Sequence, residues 1–287
     1  MDREISLPDG RNVSLWDGGD AAGAPVVFFH GCPDSRRAAH SGHGPACDAG
    51  VRLVAASRPG YSATDVPGPL TGPLTGPLTG PLTGPLTGRE HLDVADDTVA
   101  LADLLGIDRF AVLGMSVGGP YALATAVRHP DRVTAVGLVE SPAEVPRLDP
   151  PVHRDDLTPG AAADVVALAS LSATQAAERM RPEFEAWREG LDPAERDEEA
   201  LGRSDGYLRD AAITFRAWPF VVREVRCPVL AWYGDGDGQY SLRNGHWLAE
   251  NAGARLVVRA GKGHMETLVD HWHDMLVSLT RNAGRAP

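Results

Sequence analysis

Residues 110–127 read FAVLGMSVGGPYALATAV, eighteen positions without a charge. Length alone would suit a membrane span. Gly118, Gly119 and Pro120 fall in the middle of the run, however, and a buried strand, a sharp turn and a buried helix account for it better. The turn then centres on Gly114-Met115-Ser116-Val117-Gly118-Gly119. A serine hydroxyl is a poor nucleophile unless a base removes its proton during attack, so it must stand free on a tight turn. Flanking glycines permit such a turn, and the helix that follows aims its N-terminal amides at the place where negative charge would develop. A G-x-S-x-G pattern between a strand and a helix therefore marks Ser116 as a candidate nucleophile.

The rest of the chain supplies the scaffold this turn needs. Apolar runs recur at APVVFFHG (24–31), VRLVAASRPG (51–60), RFAVLGMS (109–116), RVTAVGLVE (132–140), CPVLAWYGD (227–235) and ARLVVRAG (254–261). They are continuous and not alternating, as strands covered on both faces are. Helical spacing appears between them, for example in Leu92, Val99, Leu101, Leu104 and Leu105. The alternation predicts an α/β fold with a mostly parallel sheet wrapped by helices, and EISLPDGRNVSLWDGG (4–19) adds a hairpin at an antiparallel edge. From residue 141 to about 220 the strand signal stops. Four prolines (142, 146, 150, 151) are followed by AAADVVALASLSATQAAERM and by a second amphipathic stretch from Pro182 to Trp218, a helical insertion between two strands of one sheet. The acidic run 192–199 reads as a solvated helix face.

Composition excludes several roles. The 287 residues are 43% hydrophobic, enough for a large core, and the net charge of −12 opposes binding to nucleic acid or an anionic membrane. A small-molecule substrate stays open, and oligomeric state is not legible. Cys32, Cys47 and Cys227 are odd in number, and MDREISLPDG lacks the pattern of a secretory leader, so a reducing cytoplasm is the simplest expectation. No G-x-G-x-x-G follows a strand and no P-loop lysine is present. His40, His43 and Cys47 form only an incomplete metal-like spacing. Neither a cofactor nor a metal is implied.

Here the chain resembles the α/β-hydrolase superfamily over nearly its whole length. His30-Gly31-Cys32-Pro33 is similar to the family's oxyanion loop, Arg58-Pro59-Gly60-Tyr61-Ser62 to the motif after the next strand, and GMSVGGPYAL to the nucleophile elbow. The nearest likeness is to the branch of esterases and prolyl aminopeptidases with a helical cap after the sixth strand. The resemblance implies an eight-stranded, mostly parallel sheet with helices on both faces, a core of residues 1–140 and 221–287, and a cap of residues 141–220. It also implies an acid in a G-x-x-D turn and a histidine in a G-x-G-H turn, and Gly234-Asp235-Gly236-Asp237 and Gly261-Lys262-Gly263-His264 match them.

In that frame His264 would take the Ser116 proton and pass it to the leaving group, while Asp237 would orient the imidazole and stabilise its cation. The backbone N–H groups of Cys32 and Val117 would bind the tetrahedral oxyanion. Glu140, ending the preceding strand, is an alternative acid. Asp235 reads as a turn residue, and Cys32 as a structural thiol. The expected reaction is hydrolysis of a small carboxylic ester through an acyl-serine. Alternatives are a prolyl aminopeptidase-like peptidase, for which Glu183, Glu185 or Glu189 would bind the substrate amine, and a hydrolase-like binding protein with little turnover. Trp187, Trp218 and Phe220 are expected to line the pocket or to pack cap on core.

One stretch does not belong to this pattern. Residues 68–88 repeat Pro-Leu-Thr-Gly five times. Proline at every fourth position denies a helix or a ladder, and units this short cannot bury a face, so the run reads as an expanded surface loop between a strand and a helix. Such a loop of about twenty residues spans roughly 25 Å and could tune access to the active site.

Overall fold

The continuous apolar runs become strands because the sheet they build is covered on both faces. The computed structural model describes residues 1–65, 91–192, 198–202 and 204–282. Its strands are β1 (Asp2–Ser6), β2 (Asn12–Gly19), β3 (Ala24–Phe29), β4 (Val51–Ala56), β5 (Phe110–Met115), β6 (Val133–Val139), β7 (Val229–Gly234) and β8 (Arg255–Arg259). They form one eight-stranded sheet in the order β1-β2-β4-β3-β5-β6-β7-β8. The hairpin β1–β2 is antiparallel and pairs antiparallel with β4, while every pair from β4 through β8 is parallel. Central β5 and β7 are buried along their whole length, and edge strand β8 is not.

The helices are α1 (His43–Asp48), α2 (His91–Leu104), α3 (Gly118–Arg128), α4 (Pro159–Ser170), α5 (Ala173–Gly190), α6 (Glu198–Leu201), α7 (Ser204–Thr214), α8 (Leu242–Ala252), α9 (His264–Val269) and α10 (Trp272–Asn282). One face of the sheet packs on α2, α3 and α8 through residues such as Leu101, Tyr121 and Leu248; the other packs on α1 and α10 through Ala46, Trp272 and Leu276. The first nine residues of α3 are all buried, which explains why the decisive run carries no charge. Among the described residues no helix is long and apolar enough to cross a membrane. The Pro-Leu-Thr-Gly run, with the influence on access expected of it, lies outside the described residues, as do residues 193–197 of the acidic run.

Between β6 and β7 the described chain contains α4 to α7 and no strand. The first helical stretch breaks earlier than its apolar pattern suggests. Ser172 accepts from the Gln175 N–H at 3.2 Å while the Gln175 side chain accepts from the Ser172 N–H at 3.0 Å, a capping box that ends one helix run and starts α5. Pro182, expected as a start, instead sits inside α5.

The inserted helices are tied to the core through α7. Asp210 is buried and meets Arg58 at 2.5 Å, with the two side chains only 2% and 3% exposed. The same carboxylate accepts from Tyr61 Oη and Tyr121 Oη, both at 2.7 Å. Gly206 N–H and Arg209 add bonds to the Gly60 and Pro59 carbonyls. Removing one partner of a buried pair strands the other charge. Asp210→Ala is therefore expected to lower unfolding stability by about 3 kcal/mol or more. The paired change Arg58→Met with Asp210→Leu should recover part of that loss, read from urea midpoints.

Candidate active site

Strand β5 delivers the chain into a turn whose tip, Ser116, has φ +53°, the left-handed region that non-glycine residues avoid. Such a residue costs on the order of 1–3 kcal/mol unless its surroundings fix it. Ser116 N–H donates to Val139 O and its carbonyl accepts from Gly119 N–H, both at 2.8 Å. Glycine is required on either side by contact as well. A Cβ on Gly114 would lie 2.4 Å from Gly118 O, and one on Gly118 would lie 2.2 Å from Phe29 O. The G-x-S-x-G spacing is thus the condition for β5, β3 and α3 to close around one serine.

The loop after β7 carries Asp237 and the start of α9 carries His264. His264 Nδ1 and Asp237 Oδ2 are 2.9 Å apart. Asp237 also accepts from Gln239 N–H at 2.7 Å and from Tyr240 N–H at 3.3 Å. Burial alone would raise this carboxyl, but the His264 hydrogen bond and charge, with the Gln239 amide, hold it below the ordinary aspartate value. An ionised acceptor at Nδ1 assigns the proton of neutral His264 to that nitrogen and leaves Nε2 as a base.

Ser116 and His264 line one cleft of about 130 Å³ together with Cys32, Gln239 and Met265. Among the described residues, neither Cys32 N–H nor Val117 N–H meets a main-chain acceptor. The Cys32 thiol is raised by burial and by the Asp210 charge, so it stays protonated, and its Sγ lies 3.3 Å from Tyr61 Oη. His30 is buried with Nδ1 2.8 Å from Gly31 O, and its Nε2 accepts from Arg58 N–H at 3.1 Å, an arrangement that needs a neutral ring. Burial and the Arg58 charge lower this imidazole well below its ordinary value, in agreement with that geometry.

Glu140 also reaches the site, but not as the partner of His264. It is fully buried, at φ +46°, and its Oε1 accepts from Gly234 N–H at 2.5 Å and from Thr267 Oγ1 at 2.6 Å. Burial lifts its carboxyl to about 9; the Thr267 and Gly234 bonds oppose this and Asp237 adds to it. Asp235 lies off the line and accepts from Gly261 N–H at 2.5 Å, joining the two loops.

Other residues reach the site without any mark in the sequence. Tyr240, three positions after Asp237, is buried and places its ring 5.8 Å from that of His264. No motif announces it. Above the cleft a cavity of about 420 Å³ shares Cys32, Pro33 and Gln239 with it and is otherwise lined by Met180, Glu183, Phe184, Trp187 and Tyr207. Of the aromatics expected there, only Trp187 reaches this cavity. Trp218 and Phe220 stack on each other at 5.2 Å in the core. Glu185 pairs with Arg188, leaving Glu183 as the carboxylate of the three that borders the cavity.

The chain is similar to known proteins in sequence and in fold. The chain is 27% identical over 199 residues, 65% of its length and 76% of the relative, to the pimeloyl-[acyl-carrier protein] methyl ester esterase of Chromobacterium violaceum. In fold it is similar to an esterase from Exiguobacterium antarcticum (TM-score 0.69, 20% identity, 99% of this chain and all of that one). It is likewise similar to the enol-lactonase from Burkholderia xenovorans LB400 (TM-score 0.65, 18% identity, 97% of this chain and all of that one). The family model described as alpha/beta hydrolase fold matches residues 24–266, from the first parallel strand to the helix that begins at His264, and the chain belongs to that family.

Proposed function

We propose that the protein is a serine hydrolase that cleaves the acyl bond of a small carboxylic ester through an acyl-Ser116 intermediate. The observation that carries this reading is the Asp237–His264 pair at 2.9 Å, opening into the cleft that Ser116 also lines. Esters are favoured over other acyl substrates by the similarity to an ester-cleaving relative.

The steps follow from the proton positions. Asp237 holds Nδ1–H, so Nε2 accepts the Ser116 proton as Oγ attacks the substrate carbonyl. The carbonyl oxygen becomes an oxyanion, and the free N–H groups of Cys32 and Val117 are the donors for it. Collapse breaks the bond to the alcohol, which leaves with the proton from His264. Water then enters, gives its proton to the same Nε2, and releases the acid as Ser116 regains its hydrogen. Asp237 stays ionised throughout and stabilises the imidazolium formed twice per turnover.

A second reading is amine recognition, as in a prolyl aminopeptidase-like peptidase, because Glu183 stands beside Phe184, Trp187 and Tyr207, a set able to hold a cation against aromatic faces. Ester and amide hydrolysis would use the same Ser116, Asp237 and His264.

A fluorophosphonate probe is expected to add to Ser116 and to no other residue, located by peptide mass, with Ser116→Ala left unlabelled. Absence of an adduct on the folded protein would refute the mechanism. His264→Ala is expected to lower kcat on short nitrophenyl esters by about 10⁴-fold or more, and Asp237→Asn by about 10³–10⁴-fold, with KM little changed. Glu183→Gln separates the two substrate readings. It should raise KM severalfold for proline naphthylamide if the amine is bound there, and leave neutral esters unaffected.

A further inference from the structure

The two carboxyl groups at the site cannot both be charged. Ligand atoms of Glu140, Asp237 and His264 all lie within 4.8 Å of one another, and Glu140 is fully buried. Like charges at that distance away from water force a proton onto one of them. The hydrogen bonds decide which. Asp237 accepts from Gln239 N–H, Tyr240 N–H and His264, and all three donors stabilise an anion. Glu140 receives both of its donors on Oε1, whereas Oε2 is buried and meets no donor among the described residues. An orphaned carboxylate oxygen would be costly there. As a hydroxyl it becomes a donor, and the carboxylate grouped with it within 4.8 Å, Asp237, is the acceptor available.

We propose that Glu140 is held as the neutral acid and donates Oε2–H to the Asp237 carboxylate, which makes it a positioning residue for the Asp237–His264 pair and not a rival acid. The proposal rests on the serine-hydrolase reading and extends it. Its parts come from three segments. Glu140 N–H donates to Trp232 O at 3.0 Å, which ties the end of β6 to β7. Gly234 N–H comes from the end of β7 and Thr267 Oγ1 from α9, so one carboxyl fixes both loops that present the acid and the base. The other titratable groups around it are His264, Tyr240 and Tyr233. Burial keeps both phenols protonated, and Tyr233 Oη donates to Ser141 O. A single negative charge therefore faces His264 over the neutral range. Ionisation of Glu140 in alkali would remove the donor to Asp237 and set a second anion against it.

Glutamine is the neutral acid's nearest mimic, with an amide N–H toward Asp237 and a carbonyl oxygen for Gly234 and Thr267. Glu140→Ala should lower kcat on a short nitrophenyl ester about tenfold or more with little change in KM, the size of effect that losing one buried hydrogen bond produces. Glu140→Gln should restore kcat to within about threefold of the parent, and it should remove the loss of activity that the parent shows as pH rises through about 9. Two measurements are independent of turnover. The infrared difference spectrum of parent minus Glu140→Gln near neutral pH should contain the carbonyl stretch of a protonated carboxyl, replaced by carboxylate bands in alkali. Glu140 keeps in the folded state a proton that the unfolded chain releases above the ordinary glutamate value. Its contribution to stability therefore falls as pH rises across that window. The Tm of Glu140→Gln should accordingly gain on the parent from about pH 5 to about pH 9. Carboxylate bands alone near neutral pH, or a Glu140→Gln protein as impaired as Glu140→Ala, would overturn the proposal. Retained hydrolysis by Ser116→Ala would overturn the serine mechanism instead and leave the infrared and Tm results to be judged separately.

Discussion

The buried pair of Arg58 and Asp210 is the constraint on which the site depends. A guanidinium and a carboxylate out of water are tolerable only when nearly every donor and lone pair is matched. Arg58 gives hydrogen bonds to Asp210, to His30 O and to Gly31 O, and its cation lies 5.4 Å and 4.9 Å from the ring centres of Tyr61 and Tyr121. Asp210 takes the two phenolic hydroxyls in return. Those partners belong to the loop after β3, the loop after β4, helix α3 and helix α7. One charge pair thus joins the turn that presents Cys32 N–H, the helix that follows Ser116 and the inserted helices above the cleft. A planar guanidinium fork suits this task where a lysine would not, because two neighbouring carbonyls and a carboxylate are addressed at fixed angles.

Charge around Ser116 is consequently divided. On one side Arg58 and Asp210 neutralise each other, and the groups nearest them stay uncharged. His30 is depressed by burial and Arg58, and His91 falls to about 4, through burial first, with Asp210 opposing and Arg58 adding to the fall. On the other side Asp237 is the ionised member of the acid pair and faces His264. Ser116 lies between, and under the proposed mechanism the negative charge on a tetrahedral oxygen would meet the amides of Cys32 and Val117 there.

The sequence made the sheet readable because buried parallel strands carry continuous apolar runs, and all six that were legible fall on β3 to β8. The elbow was readable because its glycines answer a steric demand at fixed spacing. Asp237 and His264 were legible only as positions in short turns matched to a family pattern, since 27 residues separate them and no periodicity relates the two. Asp210 and Tyr240 left no trace for a different reason. Asp210 stands in an ordinary amphipathic helix, where a charged residue reads as solvent-facing, and its burial is decided by Arg58, 152 residues away in the chain. Trp218 and Phe220 show the converse: large aromatics beside a pocket-forming segment that are drawn into the core by stacking on each other. The break at Ser172 was written locally, in Ser-x-x-Gln, but the apolar pattern on both sides masks it.

Chemistry and recognition are accordingly built from different material. Ser116, Asp237 and His264 stand on short turns at the ends of β5, β7 and β8, whose places are fixed by a sheet buried on both faces. The wider cavity is lined from α5 and α7, where Phe184 and Tyr207 stack at 4.1 Å and Trp187 lies half exposed beside them. Substitutions among those side chains would change the shape of the cavity without touching the Asp237–His264 hydrogen bond beneath. The division is incomplete: the cavity and the cleft share Cys32, Pro33 and Gln239, and they are also linked through α7. Tyr207 lies three residues before Asp210 on α7, so the helix that shapes the pocket is also the helix whose carboxylate anchors Arg58 and, through it, the loop of His30 and Gly31. Under the proposed mechanism, a shift of α7 would therefore bear on the oxyanion donors as well as on the shape of the cavity.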